Sequence, residues 1–318
     1  MSGTGHMRKN EEGIHAEFEV SEPIAGMRLD AALAGVFDVP RTRASAWIRD
    51  GHVRLTRAHQ PVKIGKSHKL SVGELVSVNA PAPRDLADIR PEKVDGFSIV
   101  YCDDDIVVVD KPAGVAAHPS PGWHGPTVPS ALLGEGISVT TSGAAERQGI
   151  VHRLDATTSG LMVVARRQDA MEALQAMFRD RSVEKEYLAL VHGRPAPGKG
   201  TLSGPIGRDP INRLRMAVVE GGRPALTGYR VLSHRGGLSL VLCALHTGRT
   251  HQIRVHLAAL GHPLVGDVLY GAPDEPGFGR VFLHSWRLAF AHPMTGARLE
   301  FRSPMPDELL EYLSRRFL

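Results

Sequence analysis

The stretch VHRLDATTSG, residues 151–160, holds a single carboxylate, Asp155, between Arg153 and a run of Thr, Thr, Ser and Gly. No second acid lies within six residues on either side, and no metal-ligand spacing surrounds it. On its own, an Asp in such a loop accepts backbone N–H groups from its own turn, and that plain reading wins for one residue in isolation. Two other stretches shift the balance. KEYLALVHG, residues 185–193, places Tyr187 on a strand, and TGRTHQIRVHLAALGHPLVGD, residues 247–267, places Arg249 and Arg254 around a helix start. An Arg in a first helical turn adds its charge to an already positive backbone terminus. Paired with Asp155, it would hold the carboxylate ionised and fix its direction. The plainer role for Arg254 is a surface or structural salt bridge.

Other chemistry-bearing residues lead elsewhere. CDDDI, residues 102–106, resembles an acidic metal cluster, but its apolar flanks read as two strands around a hairpin turn. His246, His251, His256 and His262 are spaced by five, five and six residues, whereas zinc ligands on one helix need a spacing of three or four. No metal site is expected. There is no GxSxG elbow, and the loops GWHG and GRPAPGKG lack the Lys-Ser/Thr that would close a phosphate-binding Gly loop, so a serine hydrolase and a P-loop phosphate site are not indicated.

The elements that must position these residues fall into two groups. In the first, RLDAALAGVFD (28–38) puts Leu29, Leu33 and Val36/Phe37 on one helical face. Thr42 is a candidate cap for a second helix that runs through Trp47 and Ile48 to a stop at Gly51. The strand-like runs HVRLT and ELVSVNA follow. Residues 80–95, rich in Pro and charge, read as a linker. In the second group, SIVYC and DIVVVDK flank the Asp-rich turn, and QDAMEALQAMFRDR (168–181) is an amphipathic helix. KEYLALVHG, LTGYRVLSH, GLSLVLCAL, VFLHSWRLAF and ARLEFRS are strands. THQIRVHLAALG is a helix with Thr250 as candidate cap and Gly261 as its stop, and PDELLEYLSRRF closes the chain as a helix. Strands that do not strictly alternate with helices predict an α+β fold with a mixed, mostly antiparallel sheet.

Composition agrees with a globular chain: 318 residues, 42% hydrophobic, 23% charged. No apolar run reaches the roughly 18 residues that a membrane helix needs. The N-terminus lacks a secretory pattern and reads as a flexible tail over residues 1–20, so a cytoplasmic location is expected. Cys102 and Cys243 sit in apolar runs, which predicts buried reduced thiols rather than a disulfide framework. The charge is uneven. Residues 40–69 carry five Arg and three Lys against one Asp, a net +7, which leaves −3 for the rest of a chain whose total is +4. A solvated basic surface is the plain reading; a polyanion partner is the favoured one, met by Arg41, Arg43, Arg49, Arg54, Lys63 and Lys66.

Three segments together carry a resemblance. HRLDATTSG, KEYLALV and TGRTHQIRVHLAALGHPLVGD are similar to the signature segments of the RluA-type family of RNA pseudouridine synthases. VVVDKPAGVAAHP, GPIGRDPINRLRMAV and LHSWRLAFAHP agree, so the resemblance covers residues 96–318. It implies a pseudouridine-synthase-like sheet with a central cleft. Residues 21–80 resemble the small RNA-binding domain named after ribosomal protein S-four, joined by a linker at 81–95. The usual Asn-Gly turn after its second helix is replaced here by RLTRAHQP.

The resemblance implies a reaction that suits a lone acid. Isomerising uridine to pseudouridine breaks the N-glycosidic bond and rejoins the base through carbon. Nothing is hydrolysed, so the paired acids of a glycosidase are unnecessary. No redox step occurs, so no cofactor is implied. Asp155 would act as a nucleophile toward the anomeric carbon or the uracil ring, or as a base that assists glycal formation. By the resemblance Arg254 is its ion-pair partner, Tyr187 stacks on the base and helps remove the ring proton, and Ile253 lines the uracil pocket. Arg153 would fill the space vacated by a flipped base. His152, Arg166 and Arg249 would bind substrate or flank the cleft. The expected partner is structured RNA, foremost large-subunit ribosomal RNA, with the chain acting as a monomer away from membranes. Transfer RNA is the alternative substrate, and a non-catalytic ribosome-assembly factor is the alternative class. The intact set Asp155, Tyr187 and Arg254 argues for the enzyme, and a hydrolytic nucleosidase would lack a second acid.

Overall fold

The structure is a computed structural model that describes residues 6–10, 13–37, 39, 41–58, 60–81, 89–120, 123–140, 148–213 and 215–317. The chain divides into two units, residues 1–88 and 89–318.

In the first unit, strands β1 (His6–Asn10), β2 (Gly13–Glu19), β3 (Val53–Arg57), β4 (Gln60–Pro61) and β5 (Leu75–Pro81) form a sheet in the order β1-β2-β5-β3-β4. Helices α1 (Leu29–Phe37) and α2 (Arg41–Arg49) share one core with it. The alternation in β3 buries Val53 and Leu55 and leaves Arg54 exposed. Phe37 of α1 meets the ring of Trp47 of α2 edge-on, with centroids 5.8 Å apart. Two expectations change. Residues 6–10 and 13–20 are not tail: β1 pairs antiparallel with β2, β2 pairs antiparallel with β5 along its length, and Ile14, Ala16 and Val20 are buried. The alternation of GIHAEFEV carries that strand, and the Gly and charged residues before it obscured it. Thr42 lies inside α2, which begins at Arg41, whereas Gly51 takes the positive φ of 80° expected at the stop. Of the expected linker, residues 82–88 lie outside the described residues. Residues 89–95 belong to the second unit, where Glu92 N–H donates to Ser130 C=O.

The second unit is built on a nine-stranded sheet. Its strands are β6 (Ser98–Cys102), β7 (Ile106–Lys111), β8 (Ser159–Ala165), β9 (Glu184–His192), β10 (Lys199–Ser203), β13 (Leu226–Arg235), β14 (Leu238–Leu245), β15 (Leu283–Ala291) and β16 (Arg298–Arg302). The order is β10-β13-β14-β9-β15-β8-β7-β6, with β16 beside β15. All pairs are antiparallel except β8 with β15, so the sheet is mixed and mostly antiparallel. The short pair β11 (Ile206–Arg208) and β12 (Met216–Val218) stands apart. Helices α3 (Val128–Gly134), α4 (Gln168–Arg179), α5 (Gln252–Ala259) and α6 (Asp307–Arg316) complete the unit.

The central strands are buried on both faces. In β7, Val107 and Val109 join one core while Ile106 and Val108 join the other. In β8, Met162 and Val164 divide likewise from Leu161 and Val163. Residues of α4, namely Ala170, Met171 and Leu174, pack into the second core. Val128 and Leu132 of α3, with Ile253 and Leu257 of α5, pack into the first. The catalytic candidates lie on that first face. Because β8 has no polar side, its run SGLMVVA offers no alternation, and it follows directly on the loop that carries Asp155.

One ion-pair network ties α1 to α2. Asp30, 3% exposed, accepts hydrogen bonds from Arg28 at 3.0 and 3.1 Å and from Arg41 at 3.2 Å. The bonds from Arg28, and then those from Arg41, hold its carboxyl down at about 2 against the opposing effect of burial. A lowered acid stabilises the fold fully above its unfolded value near ~4 and loses that contribution as the pH falls toward about 2. Asp30→Asn is therefore expected to loosen residues 29–49 at pH 7 and to differ little from wild type at pH 2. Hydrogen exchange across the two helices in the intact chain reads this; a deficit independent of pH would contradict it.

Candidate active site

The loop before β8 is held by its own backbone. Asp155 C=O accepts the N–H of Thr158 at 3.0 Å, and Ala156 C=O accepts the N–H of Gly114 at 2.8 Å. Among the described residues, no backbone N–H of the turn donates to the Asp155 carboxylate. At the end of the loop Gly160 has φ +110°, and a Cβ there would collide with the carbonyl oxygen of Ser285 on β15. Glycine is required so that β8 and β15 can lie parallel at Ser159–Gly160. Beneath the loop, buried Lys111 donates to the carbonyls of Val115, Pro112 and Ala156 at 2.8, 3.0 and 3.5 Å.

Asp155 Oδ2 accepts from Arg254 Nη1 at 3.3 Å. Arg254 sits in the first turn of α5, as its sequence position predicts, but Asp155 is its minor partner. Nε and Nη2 fork onto Asp267 at 2.7 and 2.8 Å, and Asp267 is 1% exposed. A two-pronged bond of this kind fixes the plane of the guanidinium as well as its charge. The third donor edge is what faces Asp155. Burial opposes the charge of Arg254, yet the bonds to Asp267 and the two carboxylates together raise its pKa above the usual value. Removing one partner from a buried network of this kind costs about 3–5 kcal/mol, because a charge is left without compensation.

His251 precedes α5 with a left-handed φ of 56° and occupies the capping position expected for Thr250. It makes no side-chain cap. Instead its Nδ1 lies 2.9 Å from the Tyr270 hydroxyl, and its Nε2 lies 3.8 Å from Asp155 Oδ2. Burial lowers its pKa, against the pull of Asp155. Tyr270 also takes the N–H of Met216 at 2.9 Å and carries Arg254 above its ring, 5.0 Å from the centroid.

Two adjoining hollows meet at Asp155. A recess of about 50 Å³ is lined by Asp155, Tyr187, Ile253 and Arg254, with Thr158 and Leu283. A cavity of about 580 Å³ shares Arg153, Asp155, Tyr187 and Arg249 with it and extends to His152, Phe178 and Lys185. That volume is in the range of small-molecule and cofactor sites. Tyr187 is 5% exposed, and burial, helped by the charge of Asp155, raises its pKa. Its phenol therefore stays protonated at neutral pH. Lys185 lies two residues before Tyr187 on the same face of β9 and is 7% exposed. Burial pushes its pKa down to about 8. Its ammonium stands 5.3 Å from the Phe178 centroid. A cation–π contact returns about 0.5–2 kcal/mol, less than the several kcal/mol that taking an ion out of water costs.

Among the expected site residues, Asp155, Arg254, Tyr187 and Ile253 come together, and exposed Arg153 and half-buried Arg249 line both hollows. His152 flanks the cavity but is no cation. Its Nε2 accepts the N–H of Val163, its ring stacks on Phe178 at 4.6 Å, and burial, aided by Lys185, pushes its pKa to about 3. Arg166 lines neither hollow; it donates to the carbonyls of Asp103 and Ser138 and braces the turn between β6 and β7. In that turn Asp103 accepts from the N–H groups of Asp105 and Ile106 and from the Tyr101 hydroxyl, with His292 Nε2 at 2.9 Å. Cys243 is buried as expected, but Cys102 is exposed at the edge of the sheet. The histidines work separately: His256 contacts Thr227 and Gly204, and His262 contacts the carbonyl of His192. In the first unit, Arg54, Lys63 and Lys66 are exposed, whereas Arg41 and Arg49 are exposed but paired with Asp30 and Asp50. The side chain of Arg43 lies outside the described residues. Sequence reasoning missed Asp267, His251, Tyr270, Lys185 and Lys111. Only Asp267 had a usable signal: a buried Arg demands an acid, and one closes the segment that contains Arg254.

Lys111 supplies a test of how the loop is held. Burial, reinforced by the charge of Arg280, brings its pKa down to about 7. Between pH 7 and the unfolded value near ~10.4, the native state binds fewer protons here than the unfolded chain does, so stability rises with pH across that window. Lys111→Met should remove this rise from the dependence of Tm on pH. It should also slow turnover modestly, because the Ala156 carbonyl beside Asp155 loses one of its two donors and keeps the Gly114 N–H. An unchanged Tm profile would show that the amine is not strained by burial.

Comparison with known proteins agrees with this geometry. Residues 105–259 match the family model described as RNA pseudouridylate synthase. An uncharacterized RNA pseudouridine synthase of Mycobacterium bovis is 48% identical over 295 residues, spanning 91% of this chain and 94% of the relative. Ribosomal large subunit pseudouridine synthase D of Nitrosomonas europaea is 40% identical over 322 residues, spanning 98% and 90%. The solved structure of human RNA pseudouridylate synthase domain containing 1 covers 68% of this chain and 86% of its own, at 33% identity and a TM-score of 0.56. The extent of these matches and the meeting of Asp155, Tyr187 and Arg254 in one recess lead to the same conclusion: the chain belongs to the RluA-type family of RNA pseudouridine synthases.

Proposed function

We propose that this chain isomerises specific uridines of structured RNA in the large ribosomal subunit, with Asp155 as the reacting group. The observation that carries the reading is the Asp155 carboxylate: ion-paired to Arg254 and set beside Tyr187 in one recess. Relatives named as ribosomal large subunit pseudouridine synthase D support the choice of RNA. A ribosomal substrate also fits a cytoplasmic location, and no helix among the described residues is long and apolar enough to cross a membrane.

The target uridine must leave its stack to reach the recess, at a cost of a few kcal/mol. Arg153, exposed at the mouth, would take the space left in the RNA. The base would then lie against Tyr187 and Ile253 with its sugar toward Asp155. The carboxylate acts at the anomeric carbon, at the ring, or as the base for glycal formation; all three require it at the same place. Arg254 keeps it aimed through the step, and Tyr187, whose phenol stays protonated, packs against the base while it rejoins through carbon. The N-terminal unit would capture RNA through Arg54, Lys63 and Lys66 as a module like that of ribosomal protein S-four.

Asp155→Asn keeps the shape and one acceptor oxygen, replaces the other oxygen with a donor NH2, and removes the charge. It should abolish tritium release from ring-labelled uridine in RNA while leaving RNA affinity within about threefold of wild type, a difference below ~1.4 kcal/mol. Residual turnover within tenfold of wild type would remove Asp155 from the role.

A further inference from the structure

Lys185 is left over once the reaction has been assigned. It is 7% exposed, it lines the larger cavity, and no carboxylate or carbonyl accepts from its ammonium among the described residues. Its ammonium stands over the face of Phe178, whose ring also stacks with His152. His152 is committed to the N–H of Val163. The ammonium therefore has no anionic partner among the described residues. The surroundings have the same sign. Arg153, Arg179, Arg223 and Arg249 also line the cavity, against Asp155 as its single acidic lining residue. On β9, Lys185 and Tyr187 are successive residues of one face, which sets them roughly 7 Å apart along the strand. That is about the length of one nucleotide of backbone.

We infer that Lys185 is a phosphate-binding residue: it takes one backbone phosphodiester beside the flipped nucleotide while Tyr187 meets the base. This rests on the reading of the chain as an enzyme acting on RNA. Uracil and ribose are neutral, so the phosphodiester is the anion that such a substrate brings into the cavity. A buried point charge reads no sequence; it fixes the register of the backbone, so that the base behind it arrives at Asp155. Substrate would bring the anion that no described residue offers to Lys185.

The test uses the full chain and an RNA hairpin that carries the modified uridine. Lys185→Met keeps length and packing on Phe178 without the charge. Its affinity for the hairpin should fall about tenfold or more at physiological salt, and the slope of log affinity against log salt should shrink by about one. Maximal turnover should fall far less than affinity. Hairpins with one phosphodiester at a time replaced by a neutral methylphosphonate, the adjoining 2′-hydroxyl methylated, locate the contact. One position should weaken binding of wild type and leave Lys185→Met unaffected. If Lys185→Met melts early, Lys185→Gln and Lys185→Arg replace it, with Arg expected to restore affinity and Gln not. Equal affinity and equal salt slope in the neutral variant would overturn the inference, as would losses that simply multiply at every methylphosphonate. Binding is read apart from turnover. A wild-type chain that forms no pseudouridine would sink the functional reading, while a tenfold binding loss in Lys185→Met would still support the phosphate contact.

Discussion

One guanidinium between two carboxylates organises this site. Asp267 takes two of Arg254's edges at 2.7 and 2.8 Å and leaves the third, at 3.3 Å, for Asp155. The asymmetry separates two jobs. Asp267, 1% exposed, is the permanent counterion that makes a buried Arg tolerable, and Asp155, with 15% of its side chain exposed, stays open to substrate. A carboxylate bound two-pronged to Arg would have both oxygens engaged; a carboxylate held through one oxygen keeps the other for chemistry. His251 and Tyr270 add a second wall to the same arrangement, one beside Asp155 and the other beneath Arg254.

The fold makes that geometry reproducible. The Asp155 loop leads straight into a strand buried on both faces, and the crossing of that strand with β15 is so close that only glycine fits at 160. A buried polar chain backs the crossing. Arg280 donates to Ser159, Ser159 contacts His284, His284 contacts the carbonyl of Ser303, and Ser303 donates to Asp110 at the end of β7. Lys111, the next residue, reaches the loop carbonyls. The carboxylate is thus carried at the start of a strand buried on both faces, while Arg153, Arg249 and Lys185 line the adjoining cavity.

Much of this was legible in the residues. Amphipathic α4 and the strands around Tyr187 and Cys243 declared themselves by periodicity, and the three signature segments converge as their resemblance implies. What was not legible has physical causes. SGLMVVA has no polar face because both its faces are buried, so alternation cannot reveal it. The N-terminal strand β2 was hidden by its charged surroundings, although its inward positions are apolar. Asp267 lies thirteen residues from its partner, and only the return of the chain after α5 brings them together. The resemblance implies that Arg166 and His152 bind substrate or flank the cleft; His152 does flank the cavity, kept neutral by burial, whereas backbone partners give Arg166 a bracing role.

The central claim is that Asp155 is aimed by Arg254, and that Arg254 can aim it because Asp267 holds it. A double-mutant cycle under single-turnover conditions tests this most directly, with pseudouridine formation measured for Asp267→Asn, Arg254→Lys and the pair. If Asp267 acts through Arg254, its loss is severe in the wild-type background and adds little once Arg254 is changed, giving a coupling within the roughly 0.5–3 kcal/mol found for residues in contact. Rate losses that multiply independently would contradict the account.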